Sequence, residues 1–497
     1  MPELILRQVG IDTYHENIAY LPIGCEICRS QGFGALSKIE VHYGGRSILA
    51  TLNMTENGLV KGGEIGLSHA AFRRLGAPEG ARVSLSHPNP LLSFDFVRHK
   101  LEGGHLDKSQ FLAILSDIVA YRYSNIELTA FVIACYQQSL TEPEIGYLTE
   151  AMIETGERID WDLPLVLDKH CIGGIPGNRT TMIVVPIVAA FGLPIPKTSS
   201  RAITSPSGTA DTMEALANVR LGLDEMRAVV AAEGACIAWG GSVALAPADD
   251  ILISVERPLN LDSEGQMIAS ILSKKRAAGS THLLLDIPIG PTAKVHSTEE
   301  AERLKKRFER IGARVGLQLR VVFTDGLQPV GRGIGPALEA LDVLQVLQRK
   351  PGHPEDLREK SLSLAGELLE FSGKVAAGEG LDRAREILDS GQAWEKFQGI
   401  ARRQGGLKEP RPARHSAPVS SPRTGRIGAI HNQKIARTAK LAGAPQDPGA
   451  GVYLEKKLGD AVASGEVLFR VFAETEEELS FALQYVAANP DLITIGG

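Results

Sequence analysis

Apolar and polar positions alternate in short runs over the first 85 residues (LILRQVGID, KIEVHYGGRSILATLN, ARVSLSHP), with glycine-containing turns between them. A period of two sends successive side chains to opposite faces of a strand, so this stretch predicts a small β-rich domain. From Phe94 to Asp160 the period lengthens: FLAILSDIVAYRY, LTAFVIACYQQSL and IGYLTEAMIETGERI carry apolar residues at helical spacing, and Ser124-Asn125 and Thr141 supply polar helix starts. From Leu163 apolar strands, helices and glycine-rich loops alternate (LPLVLDKH, TTMIVVPIVAAFG, LPIPKTSS), the pattern of a parallel α/β domain. Helical spacing returns over Arg257–Ala278 before THLLLDIPIG and LRVVFTDG read again as strands, which suggests a helical insertion packed with the earlier helices. Residues 405–425 hold four prolines and little apolar content, so an extended connection is expected there. The predicted division is 1–85 (β-rich), 90–160 with 255–280 (helical), 163–250 with 281–404 (α/β, anion-binding), 405–425 (linker) and 426–497 (α+β).

A chain of 497 residues with 43% hydrophobic and 23% charged positions has enough apolar surface for several cores. Its 53 basic and 59 acidic side chains give a net charge of -6, which argues against a nucleic-acid or membrane-surface partner and leaves room for a local cationic pocket. The longest apolar run, Met182–Leu193, spans 12 residues and contains Pro186. A spanning helix needs about 20, so no membrane span is expected. The N-terminus shows no secretory pattern, and a cytoplasmic protein is the expectation. Five cysteines without framework spacing fit a reducing compartment with free thiols. Cys25 and Cys28 form a CxxC, but Cys135, Cys171 and Cys236 are isolated and no histidine pair completes a zinc site. Two packed thiols at a turn, and no metal, are expected.

Two loops hold the candidate chemistry. The first runs Asp168-Lys169-His170-Cys171-Ile172-Gly173-Gly174-Ile175-Pro176-Gly177-Asn178-Arg179-Thr180-Thr181, from an apolar strand into an apolar helix. Its glycines let backbone N–H groups approach an anion, Thr180 and Thr181 add hydroxyls at a helix start, and Lys169 adds a full charge. It lacks the Gly-Lys-Ser/Thr ending of a nucleotide P-loop. The second, Lys197 to Asp211, contains Ser199, Ser200, Arg201, Ala202, Ile203, Thr204, Ser205 and the pair Gly208-Thr209. Hydroxyls, one arginine and a helix start again suit an anion, and loops following parallel strands of one sheet converge on one crevice.

Lys169-His170 with the Gly-Gly loop, Ser199-x-Arg201, Gly208-Thr209-x-Asp211, Glu214, LAPAD (245–249) and Ala269-Ser270-Ile-Leu-Ser273-Lys274-Lys275 resemble the signatures of the thymidine/pyrimidine-nucleoside phosphorylase family. The similarity covers residues 90–497, and the variants GGIPGNRTT, KTSSRAIT and SGTADTMEAL, with the N-terminal domain, look most like its AMP phosphorylase and type 2 thymidine phosphorylase branch. The resemblance implies an α/β fold with a helical domain facing a parallel-sheet α/β domain across a cleft, and a pentosyltransferase that splits an N-glycosidic bond with phosphate. Inorganic phosphate is then a co-substrate and no cofactor is needed; a homodimer or larger assembly is implied. It further implies phosphate contacts from Lys169, Cys171, Thr180, Thr181, Ser199 and Thr209, and base-facing His170, Ser270 and Lys274. Asp262 would be a proton donor, and Gly174, Ser200, Arg201, Ala202, Ile203, Thr204, Ser205, Thr209, Ser270 and Lys294 match nucleotide-binding positions. Two departures stand out: the family often has serine at Cys171, and a pyrimidine-contacting arginine aligns with Val255, with Arg257 two residues on. The substrate expected is a nucleoside 5′-monophosphate such as AMP. Thymidine phosphorolysis and a non-catalytic nucleotide-binding sensor are the alternatives.

Overall fold

The structure, a computed structural model, describes residues 3–56, 58–202, 205–259, 261 and 263–496. The chain divides into two compact units, residues 1–156 with 246–270 and residues 157–245 with 271–497.

In the first unit the alternating N-terminal segments close into a six-stranded barrel, in the order Glu3–Gln8, Glu64–Leu67, Ile18–Pro22, Arg46–Thr55, Lys38–Tyr43, Arg82–Ser86, the last pairing back onto the first. Alternation sends Leu4, Leu6, Ile39, Val41 and Ile65 inward, all buried. Closure removes the strand edges that an open sheet would expose. The two cysteines expected as packed thiols are joined instead: Cys25 and Cys28 form a disulfide at the start of the helix Glu26–Gln31. Cys135, Cys171 and Cys236 are free.

The helices Asn125–Gln137 and Glu142–Glu154 begin at capping boxes, Ser124 with Glu127 and Thr141 with Glu144, which satisfy amide donors that a helix start leaves open. Glu144 also accepts from the buried Lys100 at 2.7 Å. The later helical stretch starts at Pro247 rather than at 257, because Asp249 and Asp250 lie in the first turn of a helix that runs to Leu259. A second helix, Glu264–Ala277, crosses the division between the units after Ser270.

In the second unit a parallel three-stranded sheet has the order Gln318–Asp325, His282–Ile289, Leu167–Cys171, and Ile195–Ser199 pairs parallel with Ala235–Trp239. The helix Thr181–Ala190 has buried residues throughout Thr181–Ala189, matching its unbroken apolar run. The stretch 405–425 is only partly a connection. His415–Ser420 is an edge strand paired with Val467–Ala473, and its Pro418 is tolerable because an edge strand leaves one row of N–H groups unused. The C-terminal strands Gly451–Leu454 and Val467–Ala473 extend this sheet to Gly333–Ile334. No described helix is long and apolar enough to cross a membrane.

Candidate active site

Strand alternation puts Lys169 and Cys171 on one face of Leu167–Cys171 and Asp168 and His170 on the other. Lys169 is almost fully buried, and its Nζ donates to Thr180 Oγ1 at 2.7 Å. Burial pushes its ammonium below the ordinary lysine value, while the Asp286 carboxylate opposes that shift. Asn178 Nδ2 donates to Cys171 Sγ at 3.2 Å. Burial, with Asp286 nearby, raises the Cys171 thiol to about 11, so at neutral pH it is a protonated group rather than a thiolate nucleophile.

The backbone of this loop turns at Gly173, Gly174 and Gly177, all at positive φ. At Gly174 a Cβ would stand 2.8 Å from the Lys294 amide nitrogen, so glycine is what lets the loop lie against Lys294. Gly177 is equally constrained, because a Cβ there would run into the Val330 carbonyl.

On the opposite face Asp168 is fully buried between two buried ammoniums, Lys197 Nζ at 3.2 Å and Lys275 Nζ at 3.0 Å. Both lysines also donate to the Thr198 carbonyl, at 2.5 and 3.1 Å, and so tie the first loop's strand to the second's. Burial would raise the Asp168 carboxyl, but Lys197 and Lys275 outweigh it and hold it below the carboxylate range. With two cations on one carboxylate, burial lowers Lys275 to about 7. His170 is pushed well below the ordinary histidine value by burial and by Lys275, Lys197, Lys169 and Lys274, so its imidazole is neutral.

The second loop is folded on Asp211. Its Oδ2 accepts from the Ala202 and Gly208 amides at 2.7 and 2.9 Å. Arg201 donates to Asp211 at 2.9 Å and to both oxygens of Glu214, at 2.7 and 3.0 Å, and lies 4.8 Å from the Trp239 ring centroid. Ser199 Oγ donates to the Ala238 carbonyl at 3.2 Å, and Ser205 Oγ to the Ser207 carbonyl at 2.7 Å. Ser200 is exposed, and Thr209 is half-buried at the first position of the helix Thr209–Glu214. Arg179 joins the loops: its buried guanidinium donates to Glu339 and to the Ser207 carbonyl, while Thr212 Oγ1 donates to the same Glu339 at 2.8 Å.

Of the residues singled out from the sequence, Lys169, His170, Cys171, Thr180, Thr181, Gly174 and Lys294 gather on or against the first loop, and Ser199, Ser200, Arg201, Ala202, Ser205 and Thr209 lie on the second. Lys274 acts electrostatically on His170. Ser270 belongs to the other compact unit, where its Oγ donates to the buried Asp249 at 2.9 Å. Val255 is buried in the helix before it. Asp262, Ile203 and Thr204 lie outside the described residues. Sequence reasoning missed Lys197 and Lys275 as partners of Asp168, the Arg179–Glu339 tie, and Asp286. The two lysines stood in the quoted motifs, but no local signal pairs them with a carboxylate. Among the described residues no group of three or more His, Cys, Asp or Glu could hold a metal ion.

Residues 163–394 match the α/β domain of a glycosyl transferase family, residues 94–156 its helical bundle domain, and residues 426–492 the pyrimidine nucleoside phosphorylase C-terminal domain. A protein of Polaromonas sp. (strain JS666 / ATCC BAA-500) named "Putative thymidine phosphorylase" is 53% identical over 493 residues, 99% of this chain and 96% of that protein. One of the same name from Legionella pneumophila (strain Paris) is 51% identical over 99% of this chain and 95% of its own length. Among solved structures, anthranilate phosphoribosyltransferase from Thermus thermophilus superposes with a TM-score of 0.51 at 20% identity, over 63% of this chain and all of that one. The enzyme of that name from Saccharomyces cerevisiae gives 0.52 at 16% identity, over 64% and 99% of the two chains. These two likenesses concern the fold.

Proposed function

The chain belongs to the thymidine/pyrimidine-nucleoside phosphorylase family and is an enzyme of the pentosyltransferase type, and from that premise we propose that it catalyses the reversible phosphorolysis of a pyrimidine nucleoside, thymidine foremost. The observation that carries this reading is a buried lysine, Lys169, aimed at the threonine hydroxyl of a glycine-rich strand-to-helix loop. Such a loop suits a tetrahedral oxyanion, since it carries an ammonium and threonine hydroxyls at the start of a helix.

In the reaction a phosphate oxygen bonds to C1′ as the C1′–N bond opens. The bonding pair leaves with the base, which takes up the proton that the hydrogen phosphate gives up, and the sugar is released as its 1-phosphate. Lys169, Thr180, Thr181, Ser199 and Thr209, with Cys171 as a weaker thiol donor, hold the phosphate. His170, kept neutral by burial and by four lysines, meets the base as a hydrogen-bond donor, and Lys274 supplies the cation that offsets charge developing on the leaving ring.

The preference for a nucleoside over its 5′-monophosphate rests on Arg201. Both its terminal nitrogens are engaged by Asp211 and Glu214, which leaves the second loop without an uncommitted guanidinium for a second phosphate. The names of the 53% and 51% identical relatives point the same way. One observation favours the 5′-monophosphate instead: Val255 is buried and apolar where a pyrimidine-contacting arginine is expected. In that second reading Asp262 is the proton donor, and Gly174, Ser200, Arg201, Ala202, Ile203, Thr204, Ser205, Thr209, Ser270 and Lys294 bind the nucleotide. Specificity constants for thymidine, uridine, AMP, CMP and UMP at one phosphate concentration decide between them. Thymidine ranking first supports the nucleoside reading, and any monophosphate outrunning it overturns that preference.

A further inference from the structure

The sheet register sets Asp286 beside Cys171, on the face that also carries Lys169. Asp286 is fully buried, Thr324 Oγ1 donates to its Oδ1 at 2.5 Å, and Lys360, on the helix Glu355–Phe371, brings its Nζ to 3.3 Å from Oδ2. The Lys360 side chain is only 10% exposed. Among the described residues neither Asp286 Oδ2 nor Lys360 Nζ has a hydrogen-bond partner, although both atoms are buried. The two atoms meet as an ion pair without a hydrogen bond, so each keeps donor or acceptor capacity, buried from water, that a bound group can satisfy.

A carboxylate next to an anion-binding loop repels an anion without protons. It is complementary to one that brings its own proton: inorganic phosphate near neutral pH keeps at least one P–OH, whereas sulfate has none. Lys360 and Lys169 both act on Asp286 and hold its carboxyl below the ordinary carboxylate range, so the carboxylate stands among cations that an anion can also use. Extending the phosphorolytic reading on which it rests, we propose that Asp286 and Lys360 complete the phosphate site, Asp286 Oδ2 accepting the P–OH hydrogen bond and Lys360 Nζ donating to a phosphate oxygen. The site therefore takes hydrogen phosphate and rejects sulfate, and Asp286 is its specificity-determining residue.

Isothermal titration calorimetry of the full chain with inorganic phosphate, arsenate and sulfate, without nucleoside, tests this apart from turnover. The wild type binds phosphate and arsenate at least about tenfold more tightly than sulfate. Asp286→Asn, whose side chain can also donate to a bare anion, brings that ratio to within about threefold. Lys360→Met weakens phosphate about tenfold, and Lys360→Arg restores most of the loss. Sulfate matching phosphate on the wild type, an unchanged ratio in folded Asp286→Asn, or unaltered phosphate binding in Lys360→Met overturns the proposal. Should Asp286→Asn not fold, the wild-type ratio and the Lys360 pair decide. Selective phosphate binding without phosphate-dependent base release would defeat the phosphorolytic reading and leave the anion site standing. Phosphate-dependent base release with sulfate as tight a ligand as phosphate would defeat the anion proposal alone.

Discussion

Replacing Lys275 by methionine should make the protein more stable relative to wild type as the pH falls from 10 to 7. Lys275 is 4% exposed and shares Asp168 with Lys197, so one of the two buried ammoniums lacks a carboxylate of its own. Burial lowers its pKa from 10.5 in the unfolded chain to about 7 in the folded one. Between those values the unfolded chain binds the extra proton and the folded chain does not, so wild-type stability rises with pH across the window. The slope is roughly 1 kcal/mol per pH unit, or roughly 4 kcal/mol over the whole interval. Methionine has a similar length and no proton to bind, and it leaves Asp168 paired with Lys197. Urea unfolding of both proteins at pH 7, 8, 9 and 10 gives the difference at each pH, in which lysines common to both cancel. A difference that stays flat between pH 7 and 10 would refute the charge assignment at Asp168, whatever its absolute size.

Lys169→Ala should raise the KM for phosphate about 10- to 100-fold while the KM for nucleoside changes little, the loss of a charge-assisted contact made to one substrate only; equal effects on both would misplace the loop. Cys171→Ser should keep kcat and both KM values within about threefold, because serine still accepts from Asn178 and is the stronger donor to phosphate. Loss of turnover with a trapped thiol adduct in the wild type would make Cys171 a nucleophile, against a thiol held at about 11. Thiol titration of the unfolded, unreduced chain should count three groups, Cys135, Cys171 and Cys236, and a count of five would deny the Cys25–Cys28 disulfide.

What could be read from the sequence is what is local. The N-terminal strands and the helical bundle declare themselves because periods of two and 3.6 record which face is buried, whereas closure of those strands into a barrel does not show in the pattern, and the Ser124 and Thr141 starts are capping boxes closed within four residues. The first loop is legible for the same reason: Lys169 meets Thr180 only 11 positions away. The charge network around it was hidden. Arg179 reaches Glu339 across 160 residues, Asp168 and Ser280 are 112 apart, and Lys360 arrives on a helix whose amphipathic pattern marks it as an ordinary surface lysine. Pairing of buried charges is a property of the folded packing, and no spacing in the chain encodes it. Pro418 misled for a related reason, since proline signals an extended connection whether or not the segment then joins a sheet edge.

In the proposed reaction phosphate, not water, takes the sugar from the base. Thymidine incubated with the protein, with and without inorganic phosphate, and followed by phosphorus NMR distinguishes the two acceptors. A sugar 1-phosphate resonance should grow in step with released thymine, and no thymine should be released when phosphate is left out. Thymine released at the same rate without phosphate, with free deoxyribose as the other product, would contradict it.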